Sequence, residues 1–313
     1  MPKHKKKIFI TGHRGLVGSS ILKLLKKEKN YLILTRGREK LDLLNQTKVN
    51  NFFKINRPDI VIHAAGKVGG ILHNQTYPAE FIYENSQMAL NIINSSYLYN
   101  VKKLINLGSA CIYPKFAKQP IKESYLLNGK LESSNEAYAI AKILSLKMTE
   151  YYQKQFKKNF VSLQPTNLYG LEDNFNVRSG HVIPALINKF HEGKVKKKKF
   201  VEVWGSGKVM REFLFVDDLS RSIKFLLNKK ISHNVINVGS GEEITIKSLS
   251  KLIASIIGYQ GKIKFNKKYP DGTPRKIVDT TILTKMGWKH KIKLKEGLKK
   301  VYKSFKYKIN DNK

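Results

Sequence analysis

Short apolar runs alternate with helical patterns over the first two-thirds of the chain. Ile8-Phe9-Ile10 is a continuous apolar run that ends on a glycine turn, and Ile21, Leu22, Leu24 and Leu25 then recur at helical spacing. Tyr31-Leu32-Ile33-Leu34 and Ile60-Val61-Ile62-His63-Ala64-Ala65 read as two further strands. A helix-like stretch runs from Pro78 to Tyr99, Leu104-Ile105-Asn106-Leu107 reads as a buried strand, and a helix is expected over about Glu136 to Phe156 before Phe160-Val161-Ser162-Leu163. Strands apolar at successive positions are covered on both faces, and their alternation with helices implies a parallel sheet. The predicted class is α/β, a doubly wound parallel sheet of Rossmann type.

After Tyr169-Gly170 the rhythm loosens into polar loops and shorter elements around Gly205-Ser206-Gly207. The expectation is therefore a first domain over residues 1–170 and a smaller α/β substrate-binding domain over 171–313, some of whose segments return to the sheet. No internal repeat stands out.

Composition narrows the class. A chain of 313 residues needs no staples to hold a core, and its one cysteine, Cys111, has no partner for an internal disulfide. The basic start is followed by only three apolar residues, and no stretch approaches the ~20 apolar residues of a membrane span, so a cytoplasmic protein is expected. Lys plus Arg number 59 against 23 Asp plus Glu, an excess that raises the question of a nucleic-acid or membrane surface. The lysines, however, are spread along the whole length, with one block at 194–199, and solvated loops explain them better.

Thr11-Gly12-His13-Arg14-Gly15-Leu16-Val17-Gly18 lies between the first strand and the first helix. Glycines there let the backbone turn tightly and approach a pyrophosphate, which the helix N-terminus attracts. A glycine triplet alone is weak evidence; its place at the head of a β/α alternation strengthens it. An NAD-binding chain usually carries an acidic residue about 20 positions later to hold the ribose hydroxyls. Here that stretch reads Thr35-Arg36-Gly37-Arg38, with Arg14 in the glycine loop as well. Guanidinium groups suit a 2′-phosphate, so the expected cofactor is NADP, the alternative being surface arginines of a basic protein.

Tyr138-Ala139-Ile140-Ala141-Lys142 puts Tyr138 and Lys142 on one helical face, where an ammonium brings a phenol's pKa toward working range. Such a pair arises often by chance. Upstream, Ser109 follows the strand Leu104 to Leu107, at the carboxyl edge where α/β sites form, placed to bond the oxygen that Tyr138 protonates.

Glycine loop, Ser109, Tyr138 and Lys142 in this order resemble the extended short-chain dehydrogenase/reductases, and within them the GDP-L-fucose synthase family of GDP-4-keto-6-deoxy-D-mannose 3,5-epimerase/4-reductases. The likeness covers nearly the whole chain, with specific segments at Lys67-Val68-Gly69-Gly70-Ile71, Ser109 to Pro114, Pro165-Thr166-Asn167-Leu168-Tyr169-Gly170, Gly180 to Leu186, Trp204-Gly205-Ser206-Gly207, Arg211-Glu212-Phe213 and Pro270 to Arg275. The resemblance implies catalysis by Ser109, Tyr138 and Lys142, with Cys111 and His181 as epimerisation base and acid. It implies NADP contacts from Gly12 to Gly18 (His13, Arg14, Gly15, Leu16 and Val17 between them), Lys142, Pro165, Thr166, Asn167, Leu168 and His181. Substrate contacts fall on Lys189, Trp204, Arg211 and Asp271, with no metal. At Lys189 the family usually has arginine; lysine keeps the charge and loses the bidentate fork. A homodimer formed through helices matching Pro78 to Tyr99 and Ala137 to Phe156 is also implied.

By residue type alone, Cys111 reads as a small buried hydrophobe, His181 as a loop histidine, Trp204 as core, Arg211 as half of an ion pair and Asp271 as a turn residue. With the resemblance, the expected function is NADPH-dependent 3,5-epimerisation and 4-reduction of GDP-4-keto-6-deoxy-D-mannose. The alternatives are a related GDP-sugar (a 6-deoxy-heptose or 3,6-dideoxy-hexose) and, from another class, an NADP-sensing or nucleic-acid-binding protein, against which an intact Ser109, Tyr138 and Lys142 argue.

Overall fold

The computed structural model, which describes residues 5–177 and 180–310, turns each apolar run named above into a strand of one sheet. In chain order the elements are β1 (Lys6–Thr11), α1 (Leu16–Leu25), β2 (Tyr31–Leu34), α2 (Gln46–Asn56), β3 (Ile60–His63), α3 (Ile71–Thr76), α4 (Pro78–Leu98), β4 (Lys103–Leu107), α5 (Glu136–Phe156) and β5 (Asn159–Pro165). Then come β6 (Asn167–Tyr169), α6 (Val182–Val195), β7 (Phe200–Trp204), β8 (Met210–Phe215), α7 (Val216–Leu227) and β9 (Val235–Val238). The chain finishes with β10 (Glu243–Thr245), α8 (Ile246–Ile257), β11 (Lys262–Asn266), β12 (Arg275–Lys276), α9 (Thr281–Lys285) and α10 (Leu294–Asn310).

The main sheet has six parallel strands in the order β2-β1-β3-β4-β5-β9. Successive side chains of a strand point to opposite faces, so each face needs its own cover. Ile8 and Ile10 of β1 join Ile60, Ile62, Ile105 and Val161 under α1 and α7, while Phe9 joins Val61, Leu104 and Phe160 under α2 and α4. Burial on both faces is why these runs carry no polar alternation. The order reverses at β1, with β2 on one side and β3 on the other, and loops leaving two such strands diverge and open a crevice.

A second body gathers around β8, which pairs with β6, β10 and β12, and around the parallel pair β7–β11. Its core joins Ile183, Ile187 and Phe190 of α6 to Leu249 and Ile253 of α8 and Val301 of α10. The chain does not divide once between the two bodies: α7, β9 and α9 pack into the larger core, although β6 to β8 and β10 to β12 lie outside the six-stranded sheet. The lysine block closes α6, with Lys196 and Lys198 on Glu192 at 3.0 and 3.3 Å and the Lys194 ammonium donating to the Ile257 carbonyl at 2.8 Å. Among the described residues no helix is long and apolar enough to cross a membrane.

Candidate active site

A cleft of about 1080 Å³ opens where β1, β3, β4 and β5 end, between the sheet and the second body. Gly12 to Gly18, Arg36, Arg38, Ser109, Cys111, Tyr138, Lys142, Pro165 to Leu168, His181, Lys189, Trp204, Arg211 and Asp271 all line it.

The dinucleotide end is shaped by missing side chains. Gly12 has φ +67, and a Cβ there would sit 2.7 Å from the Ala65 amide nitrogen; one at Gly18 would sit 2.1 Å from the Gly12 carbonyl. α1 therefore starts directly against the turn. Its N-cap is Gly15, no side chain caps it, and the amides of the first turn are left for an anion. This cradle fits a dinucleotide pyrophosphate.

The arginine corner differs from its reading in one respect. Residues 35–38 contain no carboxylate, yet the Arg14 guanidinium forks onto Glu39 at 2.8 and 3.2 Å. Arg38 lies 3.9 Å from both Asp42 and Glu84, while Arg36 packs over the Phe52 ring at 5.6 Å. The corner is thus not free of negative charge, because Glu39, just past the strand end, folds back onto the glycine loop. Arg14, Arg38 and Glu39 are solvated, and a doubly charged phosphate competes with a carboxylate for such a fork.

Ser109, Tyr138 and Lys142 meet at the carboxyl end of β4. Gly108 leaves room for the Gln164 side chain, whose oxygen accepts from the Ser109 amide at 2.9 Å and pins the loop. The Ser109 hydroxyl caps a single 3-10 turn over Ala110–Ile112, accepting from the Cys111 amide at 3.2 Å, and hydrogen-bonds the Tyr138 phenol. One turn on in α5, the Lys142 ammonium donates to the Leu107 carbonyl at 2.9 Å and stands 5.7 Å from the Tyr138 ring centre. Burial lowers Lys142 to about 8, with Cys111 opposing.

Lys142 is not among the groups that set the Tyr138 pKa. Burial, and after it the charge of Cys111, hold Tyr138 above the ordinary phenol range, against the Ser109 hydrogen bond. Tyr138 is thereby held as a neutral phenol.

Cys111 is half-buried, and its Sγ accepts from the Lys276 ammonium at 3.7 Å. His181, the residue before α6, opens its surface to the cleft yet has protein packed around most of the ring. That burial, and then the Lys276 charge, hold its imidazole below the ordinary histidine range.

In the second body, Trp204 stacks on Tyr269 with centroids 4.4 Å apart and planes 13° apart, and the Lys189 ammonium sits 4.3 Å from the Trp204 ring centre. Burial lowers Lys189, with Glu202 opposing. The Arg211 guanidinium donates to the Met210 and Asp271 carbonyls at 2.9 and 3.0 Å, leaving the rest of its fork for a ligand. The Asp271 carboxylate accepts from the Ser206 amide at 2.8 Å, so the side chain ties two loops of this body together.

Residues 8–239 match the family model described as the NAD dependent epimerase/dehydratase family. The chain belongs to that family. Within it, the chain is 47% identical over 307 residues to a GDP-L-fucose synthase of Sinorhizobium fredii, covering 98% of each chain. It is 46% identical over 312 residues to that of Escherichia coli K12, covering 96% of this chain and 97% of the other. Among solved structures, an NADP-bound GDP-L-fucose synthetase from Naegleria fowleri superposes with a TM-score of 0.89 at 28% identity, covering 98% of this chain and 96% of that one.

Three further groups of this epimerase/dehydratase cleft escaped the sequence reading. Gln164 orients Ser109; a polar residue inside the run Phe160 to Pro165 was the available signal. Asn85, buried on α4, binds both the amide and the carbonyl of Lys67 at 3.0 Å and so sets the loop after β3. Lys276 reaches the thiol from a strand 165 positions away, which no local pattern reveals.

Proposed function

We propose that this chain converts GDP-4-keto-6-deoxy-D-mannose to GDP-L-fucose, inverting C3 and C5 and reducing C4 with NADPH. The observation that carries the reading is that Cys111 and His181 share one cleft with Ser109, Tyr138 and Lys142. A plain reductase has no use for a second proton-transfer pair.

The C4 ketone acidifies the hydrogens on C3 and C5. Ser109 and Tyr138 bond its oxygen, which stabilises the enolate formed when either hydrogen leaves as a proton and again the alkoxide formed on reduction. Cys111 takes the proton from one face: the C–H bond breaks, its electron pair enters the enolate, and S–H forms. His181 returns a proton to the other face. Its lowered pKa makes the imidazolium less populated and the stronger acid. Bound NADPH supplies the hydride to C4, and Tyr138, held neutral, gives the alkoxide its proton. The glycine cradle with Pro165 to Leu168 holds the cofactor, Arg14, Arg36 and Arg38 its 2′-phosphate; Lys189, Trp204, Arg211 and Asp271 line the nucleotide-sugar end.

Turnover with NADPH in D2O should place deuterium at C3 and C5 of the product. Product free of deuterium at both carbons rejects the epimerase half of the proposal. A panel adding GDP-linked 4-keto-6-deoxy-heptose and 3,6-dideoxy-hexose substrates separates the related-sugar reading, which requires faster turnover of one of those.

We place the chain in the cytoplasm, where a thiol base stays reduced. A homodimer is part of the same proposal: Tyr83, Leu90 and Leu98 form an exposed stripe on α4 beside Ile140, Leu144 and Tyr151 on α5. Light scattering should give twice the chain mass, and Leu144→Glu should give the single mass; a wild-type monomer rejects it.

A further inference from the structure

Lys276 has no part in the chemistry described so far. Its strand is held at fixed depth: Lys276 pairs in register with Arg211 of β8, the Ile277 amide donates to Gln119 Oε1 at 2.9 Å, and the Val278 amide donates to Glu212 Oε2 at 3.0 Å. From there the Lys276 ammonium donates to Cys111 Sγ at 3.7 Å. Among the described residues no carboxylate forms an ion pair with it, whereas its neighbour Arg275 is neutralised by Glu243 at 2.7 Å. Glu132, which lines the same small recess behind Cys111, is taken by Lys115 at 2.8 Å. The other charged or titratable groups that act on Cys111 are Tyr138 and Lys142 from α5 and Arg211 from β8, and His181 faces Lys276 from the start of α6.

We propose that Lys276 is the positioning residue of epimerisation, its ammonium, which no carboxylate among the described residues engages, gripping the Cys111 sulfur and aiming it into the cleft. The proposal rests on the reading of Cys111 as the base. A thiolate accepts a proton and a thiol does not, and a cation in contact favours the thiolate. When the proton leaves carbon for sulfur, Lys276 keeps its own protons throughout and touches no substrate atom. The same cation lies near His181, so the imidazole that has given up its proton is the form it favours. One lysine thus disfavours a proton on both residues, which keeps the sulfur free to accept one and makes His181 the readier donor.

Cys111 is the chain's single cysteine, so alkylation of the whole enzyme reads that sulfur alone. Iodoacetamide is uncharged, which removes any attraction between reagent and lysine. At pH 7, without substrate, Lys276→Met and Lys276→Gln should each be alkylated about tenfold more slowly than wild type, and Lys276→Arg should stay within about threefold. In D2O turnover, the two neutral variants should lose deuterium incorporation at C3 and C5 by a similar factor through kcat, with KM and NADPH binding held within about twofold, the latter also certifying the fold. Unchanged alkylation in a variant that binds NADPH overturns the proposal, as does slowed alkylation with undiminished deuterium incorporation. A wild-type enzyme that alkylates readily and never incorporates deuterium removes Cys111 as the base. That failure is distinguishable because alkylation is read without substrate.

Discussion

The Thr11 hydroxyl gives its only proton to Nδ1 of His63, 2.9 Å away, because its lone pairs are occupied by the Ala64 and Ala65 amides at 3.1 Å. His63 is consequently an acceptor at Nδ1 and neutral, and burial, with Lys142 second, lowers it to about 3. The contact ties the end of β1 to the end of β3 where the cleft opens.

That neutrality sets an acid limit on stability. Between about pH 3 and 6.5 the unfolded chain binds the proton that the folded chain refuses, so stability is full above pH 6.5 and falls as pH drops through the window. From pH 7 to pH 5 the loss is about 2 kcal/mol for this one group. Urea unfolding at both values measures it, and His63→Gln should remove that share of the difference.

Tyr138→Phe deletes the proton donor while keeping the ring. Reduction should fall about 10²- to 10⁴-fold, with NADPH binding by fluorescence unchanged. In the wild type, Lys142 carries its charge below about pH 8, so kcat for reduction should decline above that value.

Gly18→Ala drives a methyl to 2.1 Å from the Gly12 carbonyl, where only backbone can yield. A cost of about 1–3 kcal/mol in unfolding free energy is expected. NADPH affinity should drop at least about tenfold as the cradle opens, measured by titration of cofactor fluorescence.

Glu39→Gln frees the Arg14 fork from its internal carboxylate. NADPH should bind a few-fold more tightly, about 2- to 5-fold, with NADH little changed. Arg14→Ala should do the reverse for NADPH alone; calorimetry with 2′,5′-ADP reads the phosphate contact directly.

The sheet was legible because its inner strands are buried on both faces and so remain largely apolar, as at Ile60 to Ile62 and at Leu104 to Leu107, where the single polar residue, Asn106, donates to Ser145 and Ser162. α2 went unnamed: Val49, Phe52 and Phe53 give helical spacing, but Gln46, Asn50, Asn51 and Asn56 dilute it, and the helix relies on its Asn45 cap. β9 was invisible as a sixth strand, since Val235 to Val238 joins β5 only through long-range pairing. At the site, residue identities carried far because the glycine loop, Tyr138 and Lys142 are local patterns. What spacing could not convey was the balance of burial against charge: Tyr138 rises where a lysine neighbour alone would lower it, and Glu39 turns back onto Arg14.

The chain leaves the main sheet after β5, comes back for α7 and β9, departs for β10 to β12, returns with α9 and ends outside in α10. Retargeting such an enzyme by grafting a relative's sugar-recognition half at one junction is therefore ruled out by topology. A fragment cut near residue 170 would bare the β5 edge along Ser162 to Pro165 and invite intermolecular strand pairing. A workable chimera has to exchange several discontinuous pieces at once, leaving β9 with its original host.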